Sequence, residues 1–197
     1  MAITVEHEKR RKKILEKALT VFIDDGFEDT TFQKIADRCG ITRTILYLYF
    51  KNKKEIFTYS IKQMLLSVEE DINKIRCDKS LNSAEKITKV LLDILSNFEK
   101  NSQLLSIVLD YLLLISKNDV DPEKRVRRRT VRLRHILSSI VIDGIKCGEL
   151  KSSSIKVISD YLYNHIDAAI YQLVVLKRKN LDDLKETVVF AVKQLTV

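Results

Sequence analysis

The side chains best equipped to read a polymer by hydrogen bonding are gathered between Thr30 and Phe57, where the chain runs TTFQKIADRCGITRTILYLYFKNKKEIF. An arginine guanidinium is a planar fork that fits the two acceptors on a guanine edge. A glutamine amide fits the donor and acceptor of adenine, and each such pairing discriminates by about 1–3 kcal/mol. Arg43 and Gln33 are these residues here, with Thr44 beside the first. Tyr47 and Tyr49 carry hydroxyls suited to phosphate oxygens, and Tyr47 also suits half-buried packing. Thr42 is a polar residue at a helix start, where backbone amides can meet a phosphate. Together these groups suit double-stranded nucleic acid.

Such side chains work only if the backbone holds them on one surface. Thr31 is a good N-cap for a short helix with Ile35 and Ala36 turned inward, and Gly40 suits the left-handed residue that stops it. Ile41 then packs inward and Thr42 caps a second helix, in which Leu46 and Phe50, four apart, continue one buried face. Two helices so short cannot bury both apolar faces alone. Lys12 to Phe22, with Ile14, Leu15, Ala18, Leu19 and Phe22 on one side, is the expected cover. The stretch reads as a helix-turn-helix, with Arg43, Thr44 and Gln33 pointing outward.

The run Gly26-Phe27-x-x-Thr30-Thr31, Ile35-Ala36, Gly40-Ile41-Thr42, Leu46-Tyr47-x-Tyr49-Phe50 and Asn52-Lys53-x-Glu55 resembles the signature of the TetR/AcrR transcriptional regulators. The resemblance covers about the first 60 residues; beyond them it is one of length and helical organisation. It implies phosphate contacts from Thr31, Thr42, Tyr47, Tyr49 and Lys53, and base reading by Gln33, Arg43 and Thr44. It also implies a homodimer, a small-molecule effector held in the second domain, and repression more often than activation. Two residues depart from the pattern. The family commonly has glycine where Thr44 stands and a small polar residue where Ile45 stands, so Ile45 and the Thr44 methyl are expected to touch thymine methyl groups.

Composition sets wider bounds. Four glycines and one proline in 197 residues leave few turn formers for strands, so the fold class is all-α. The net charge of +8 favours an anionic partner. Cys39, Cys77 and Cys147 are odd in number and lack metal-ligand spacing, which reads as reduced thiols in a cytoplasmic protein with no metal and no cofactor. No apolar h-region follows the basic amino terminus, and Asp110 interrupts the most apolar stretch, so neither a signal peptide nor a membrane span is expected.

The expected division is a helix-turn-helix domain at 1–52 and a helical effector-binding and dimerisation domain at 53–197. Residues 1–8 read as a frayed arm, and Lys9 to Lys13 as a basic opening of the first helix that a phosphate backbone or plain solvent could balance. Asn52 caps a helix from Lys53 to about Arg76 that links head and body. Leu104 to Ile115, apolar on nearly every side, is expected at the centre of the body, and Asp121-Pro122 opens the helix after it. The last two helices, about 155–176 and 181–195, have wide apolar faces and are expected to pair with a second copy, so that two heads read a palindrome.

Within the body, Asp110 is a candidate buried carboxylate, and Tyr111, His135, Tyr163, His165 and Tyr171 are the other polar groups set among apolar neighbours, as pocket candidates or as satisfied core residues. Lys124, Arg125, Arg127, Arg128, Arg129, Arg132 and Arg134 cannot share one helical face. A solvated surface, an anionic effector and an acidic partner protein all remain open for them. Control by a partner protein docking on the body is the alternative to control by a small molecule. An enzyme is not expected: His7, His135 and His165 lie far apart and no catalytic motif or phosphate loop occurs.

Overall fold

The computed structural model describes the backbone of residues 2–116 and 122–197, and the side chains of 6–66, 68–114 and 133–197. Its elements are α1 (Ala2–Asp29), α2 (Phe32–Cys39), α3 (Arg43–Tyr49), α4 (Lys53–Cys77), α5 (Ser83–Lys100), α6 (Ser102–Ser116), α7 (Pro122–Lys146), α8 (Ile155–Ile170) with a π-helical turn at Tyr171–Val175, and α9 (Asp182–Leu195). Among the described residues no strand forms, and the one β-bridge joins Leu150 to Thr196. The chain is all-α.

Two compact units divide it, Met1–Glu69 and Glu70–Val197. The division falls inside α4, not at the expected boundary after Asn52. The reason lies in how the start of α4 is fastened. Ile56 and Phe57 are fully buried, and Ser60 Oγ donates to the carbonyl of Leu15 at 2.9 Å, so the first turns of α4 belong to the head.

In the first unit α1 supplies Ile14, Leu15, Ala18, Val21 and Phe22 to the core. Phe22 meets Phe57 edge-on at 4.8 Å and Phe27 closes the cluster at 5.1 Å from Phe57. Residues 2–8 continue α1 instead of forming an arm, because nothing from Ala2 to Asp25 breaks a helix. The break comes at Gly26, whose φ of 80° and ψ of 172° turn the chain toward α2.

The second unit is built around α5 and α8. Ile87, Val90, Leu91, Ile94 and Leu95 of α5 are buried, as are Ile158, Leu162, Tyr163, Ile166 and Ala169 of α8. Asn82 caps α5 through a capping box with Glu85. Gly144 of α7 lets α5 come close: a Cβ there would lie 2.6 Å from the Leu150 side chain and 2.7 Å from Ser83 Cβ. The expectation that α6 is central is corrected. Only Leu104 and Tyr111 of its described side chains are buried, and α6 lies at the periphery against the π-helical turn, α5 and α7. High apolar content does not make a helix central when its neighbours cover one side only.

Candidate nucleic-acid interface

The turn between α2 and α3 is fixed by its own residues. Thr31 accepts from the Lys34 amide at 3.2 Å, Gly40 adopts φ 69° and ψ 35°, and Thr42 accepts from the Ile45 amide at 3.3 Å. Asn52 in turn accepts from the Glu55 amide at 2.8 Å to start α4. Each cap satisfies a helix-end donor that would otherwise lack a partner. Ile35, Ala36, Leu46 and Phe50 then seat both helices on the core.

With Leu46 buried, the opposite side of α3 is open. Arg43, Thr44, Tyr47 and Leu48 are exposed there, while Ile45 and Tyr49 are partly covered. Tyr47 is half exposed but well held. Its ring stacks on Phe32 at 4.6 Å, and its hydroxyl accepts from an Arg43 guanidinium nitrogen at 3.1 Å. The guanidinium carbon also lies 5.5 Å from the Tyr47 ring centre. Arg43 therefore stands ready with donors to spare. Gln33, exposed on α2, donates to the Asp37 carboxylate at 2.7 Å, and Thr31 is exposed beside it.

Two residues make contacts that the sequence did not signal. Lys53 donates to the carbonyls of Phe27 at 2.9 Å, Glu28 at 2.6 Å and Thr30 at 3.0 Å, with its ammonium 4.9 Å from the Phe27 ring centre. All three donors are engaged inside the head, where Lys53 clamps the α1–α2 corner. Tyr49 carries the His7 ring against its own at 4.5 Å. Leu48, 75% exposed, was not among the expected site residues. Its spacing from Leu46 and its position four after Thr44 could have placed it on the open face.

The basic opening of α1 does not act as one surface. Arg11 turns inward, its guanidinium carbon 5.1 Å from the Phe50 ring centre and 4.3 Å from that of Tyr59, while Lys9, Arg10, Lys12 and Lys13 stay exposed. Cys39 is half-buried near the Ile14 carbonyl, and burial pushes its thiol up despite Lys17 nearby. Among the described residues no group of three metal-ligating side chains forms.

The six pocket candidates of the second unit are split. Tyr111, Tyr163 and His165 are buried, but Asp110, His135 and Tyr171 are exposed. Asp110 is therefore corrected as a buried carboxylate. It neighbours Tyr111, and a helix covered on one side leaves its lone charge toward water. His165 Nδ1 lies 3.1 Å from the Tyr161 carbonyl of its own helix, a satisfied core position. Of the arginine run, Arg134 pairs with Asp160 and lies 4.2 Å from the Tyr163 ring centre. Its guanidinium charge opposes the burial that pushes the Asp167 carboxyl up. The side chains of Lys124, Arg125, Arg127, Arg128, Arg129 and Arg132, and the Asp121 cap, lie outside the described residues. No described helix is long and apolar enough to cross a membrane.

A capped helix pair braced by a third, with the second helix showing guanidinium, hydroxyl and aliphatic groups on its open side, defines a helix-turn-helix DNA-binding protein. The family model described as bacterial regulatory proteins, tetR family, matches residues 14–59. An uncharacterised HTH-type transcriptional regulator of Bacillus subtilis, YhgD, is 32% identical over 146 residues, which is 72% of this chain and 72% of that protein. The fatty acid metabolism regulator protein of the same organism is 25% identical over 179 residues, 87% of this chain and 88% of its own. Among solved structures, the transcriptional regulator FadR from Bacillus subtilis in complex with stearoyl-CoA shares the fold, with a TM-score of 0.67 at 22% identity over 91% of this chain and 96% of that one. The chain belongs to the TetR family of transcriptional regulators. These relatives are DNA-binding regulators and not enzymes.

Proposed function

We propose that the chain works as a homodimeric repressor in the cytoplasm, reading a palindromic double-stranded operator through α3 and releasing it when a long-chain fatty-acyl compound occupies the second unit. The observation that carries this reading is the open face of α3, on which Arg43 and its exposed neighbours are held above a buried Leu46. Arg43, Thr44 and Gln33 are the base-reading groups, with Ile45 at their margin. Thr31, Thr42, Tyr47 and Tyr49 contact phosphates, and Lys53 keeps the corner rigid beneath them.

Dimerisation is supported by a stripe on the last helices. Val157, Tyr161, Tyr171 and Val175 are exposed at spacings of four, ten and four, and Val189 and Phe190 are exposed on α9. Aliphatic and aromatic groups on consecutive packed helices suit an isologous four-helix contact. The acyl class is supported by the names of two similar regulators, one of fatty acid metabolism and one solved with stearoyl-CoA. An acyl chain would be held by apolar side chains of the second unit, and its differential affinity for the two states would lower the affinity for the operator.

The test is a footprint on the chain's own promoter followed by anisotropy titrations. Binding to a twofold-symmetric site, weakening steeply with salt and further on addition of stearoyl-CoA, is the expected outcome. A flat salt response would count against DNA reading. Unchanged affinity with acyl-CoA would instead remove the effector and leave control by a docking protein as the alternative.

A further inference from the structure

The open side of α3 carries two rows of different chemistry. Arg43 and Tyr47, four apart, form a polar row joined by their hydrogen bond. Thr44 and Leu48, also four apart, form a second row about 100° around the helix. Leu48 has no hydrogen-bonding group and is 75% exposed, more than any other large apolar side chain among the described residues of the head. The usual ways to shelter such a residue are taken. Tyr47 is committed to Phe32, Tyr49 to His7, and Leu46 and Phe50 to the core. Ile45, the apolar residue expected to face the groove, is partly covered instead.

Resting on the DNA-reading function proposed above, we infer that Leu48, with the Thr44 methyl beside it, reads the C5-methyl group of a thymine next to the base pair taken by Arg43. In the major groove the thymine methyl is the one apolar feature that distinguishes a base pair, so an aliphatic side chain at the reading surface has a single chemical counterpart there. The two rows lie on one short helix, so both contacts fall within one half-site, a guanine contact from the polar row and a methyl contact from the apolar row on the neighbouring base pair.

The experiment is a set of operator duplexes in which each thymine in turn becomes deoxyuridine, titrated with the wild-type chain and with Leu48→Ala. One symmetric pair of substitutions should weaken wild-type binding about three- to fivefold per half-site, the worth of one methyl transferred from water. The Leu48→Ala protein should be indifferent to those same positions, because the methyl's partner is gone. Thermal melting of both proteins should coincide, since truncating an exposed side chain leaves the core intact. Should every uracil duplex that weakens the wild type weaken Leu48→Ala equally, the assignment is overturned while operator reading stands. Should neither protein protect any site, the DNA-reading proposal itself fails. A shift of Leu48→Ala in sedimentation would also overturn it, because it would place Leu48 in a contact between copies.

Discussion

Lys53 shows how a side chain expected at the DNA surface can also fasten the head from within. Its ammonium meets three carbonyls at the α1–α2 corner, from residues 23 to 26 positions earlier in the chain. Lys53→Met keeps the stem and removes the charge and donors. It is expected to lower stability by about 1–3 kcal/mol, the cost of leaving acceptors without a partner, as read by urea unfolding. If Lys53 were instead a phosphate ligand, the variant would keep its stability, and its log affinity against log salt would lose close to one unit of slope. The caps were legible in the sequence because a cap joins neighbours. Thr31, Gly40, Thr42 and Asn52 all occupy the roles their types suggest. The Lys53 contacts were not legible, since nothing local marks carbonyls made available by a turn at Gly26.

At the scale of helices, Gly26 and Gly144 are needed for opposite reasons. Gly26 has φ of 80° and open space where a Cβ would stand, so its requirement is torsional. Gly144 sits in a helix with ordinary torsions, and its requirement is steric, set by Leu150 and Ser83. Both alanine variants are expected to lose about 1–3 kcal/mol. Adding Leu150→Ala should cost less in the Gly144→Ala background, where it relieves part of the clash, than in the Gly26→Ala background, which thermal melts of the four proteins would read. Periodicity identified the helices well, including the α4 span. It misjudged α6 because an apolar composition records how much a helix could bury, while its neighbours decide how much it does.

For the molecule as a whole, the exposed apolar side chains of α8, its π-helical turn and α9 make the oligomeric state the property most open to test. Tyr171→Asp combined with Phe190→Asp places two charges on that surface without touching the core. The double variant is expected to sediment as a monomer at micromolar concentration and to bind a full palindrome no better than a half-site. Helical content should be unchanged by circular dichroism. A dimer that survives both charges would move the interface elsewhere in the second unit. The family was legible from the head alone, since its signature lies within 14–59. The effector was not, because the candidate polar residues of the body are divided between surface and core.

The stack of Phe32 beneath Tyr47 beneath Arg43 carries a thermodynamic consequence. On the proposed reading of a guanine by Arg43, a guanidinium already held by Tyr47 forfeits little motional freedom on docking, and freezing a long side chain ordinarily costs about 0.5–1.5 kcal/mol. Calorimetry of Tyr47→Ala should therefore show a larger entropic penalty on complex formation, even where Arg43 recovers its full heat of pairing.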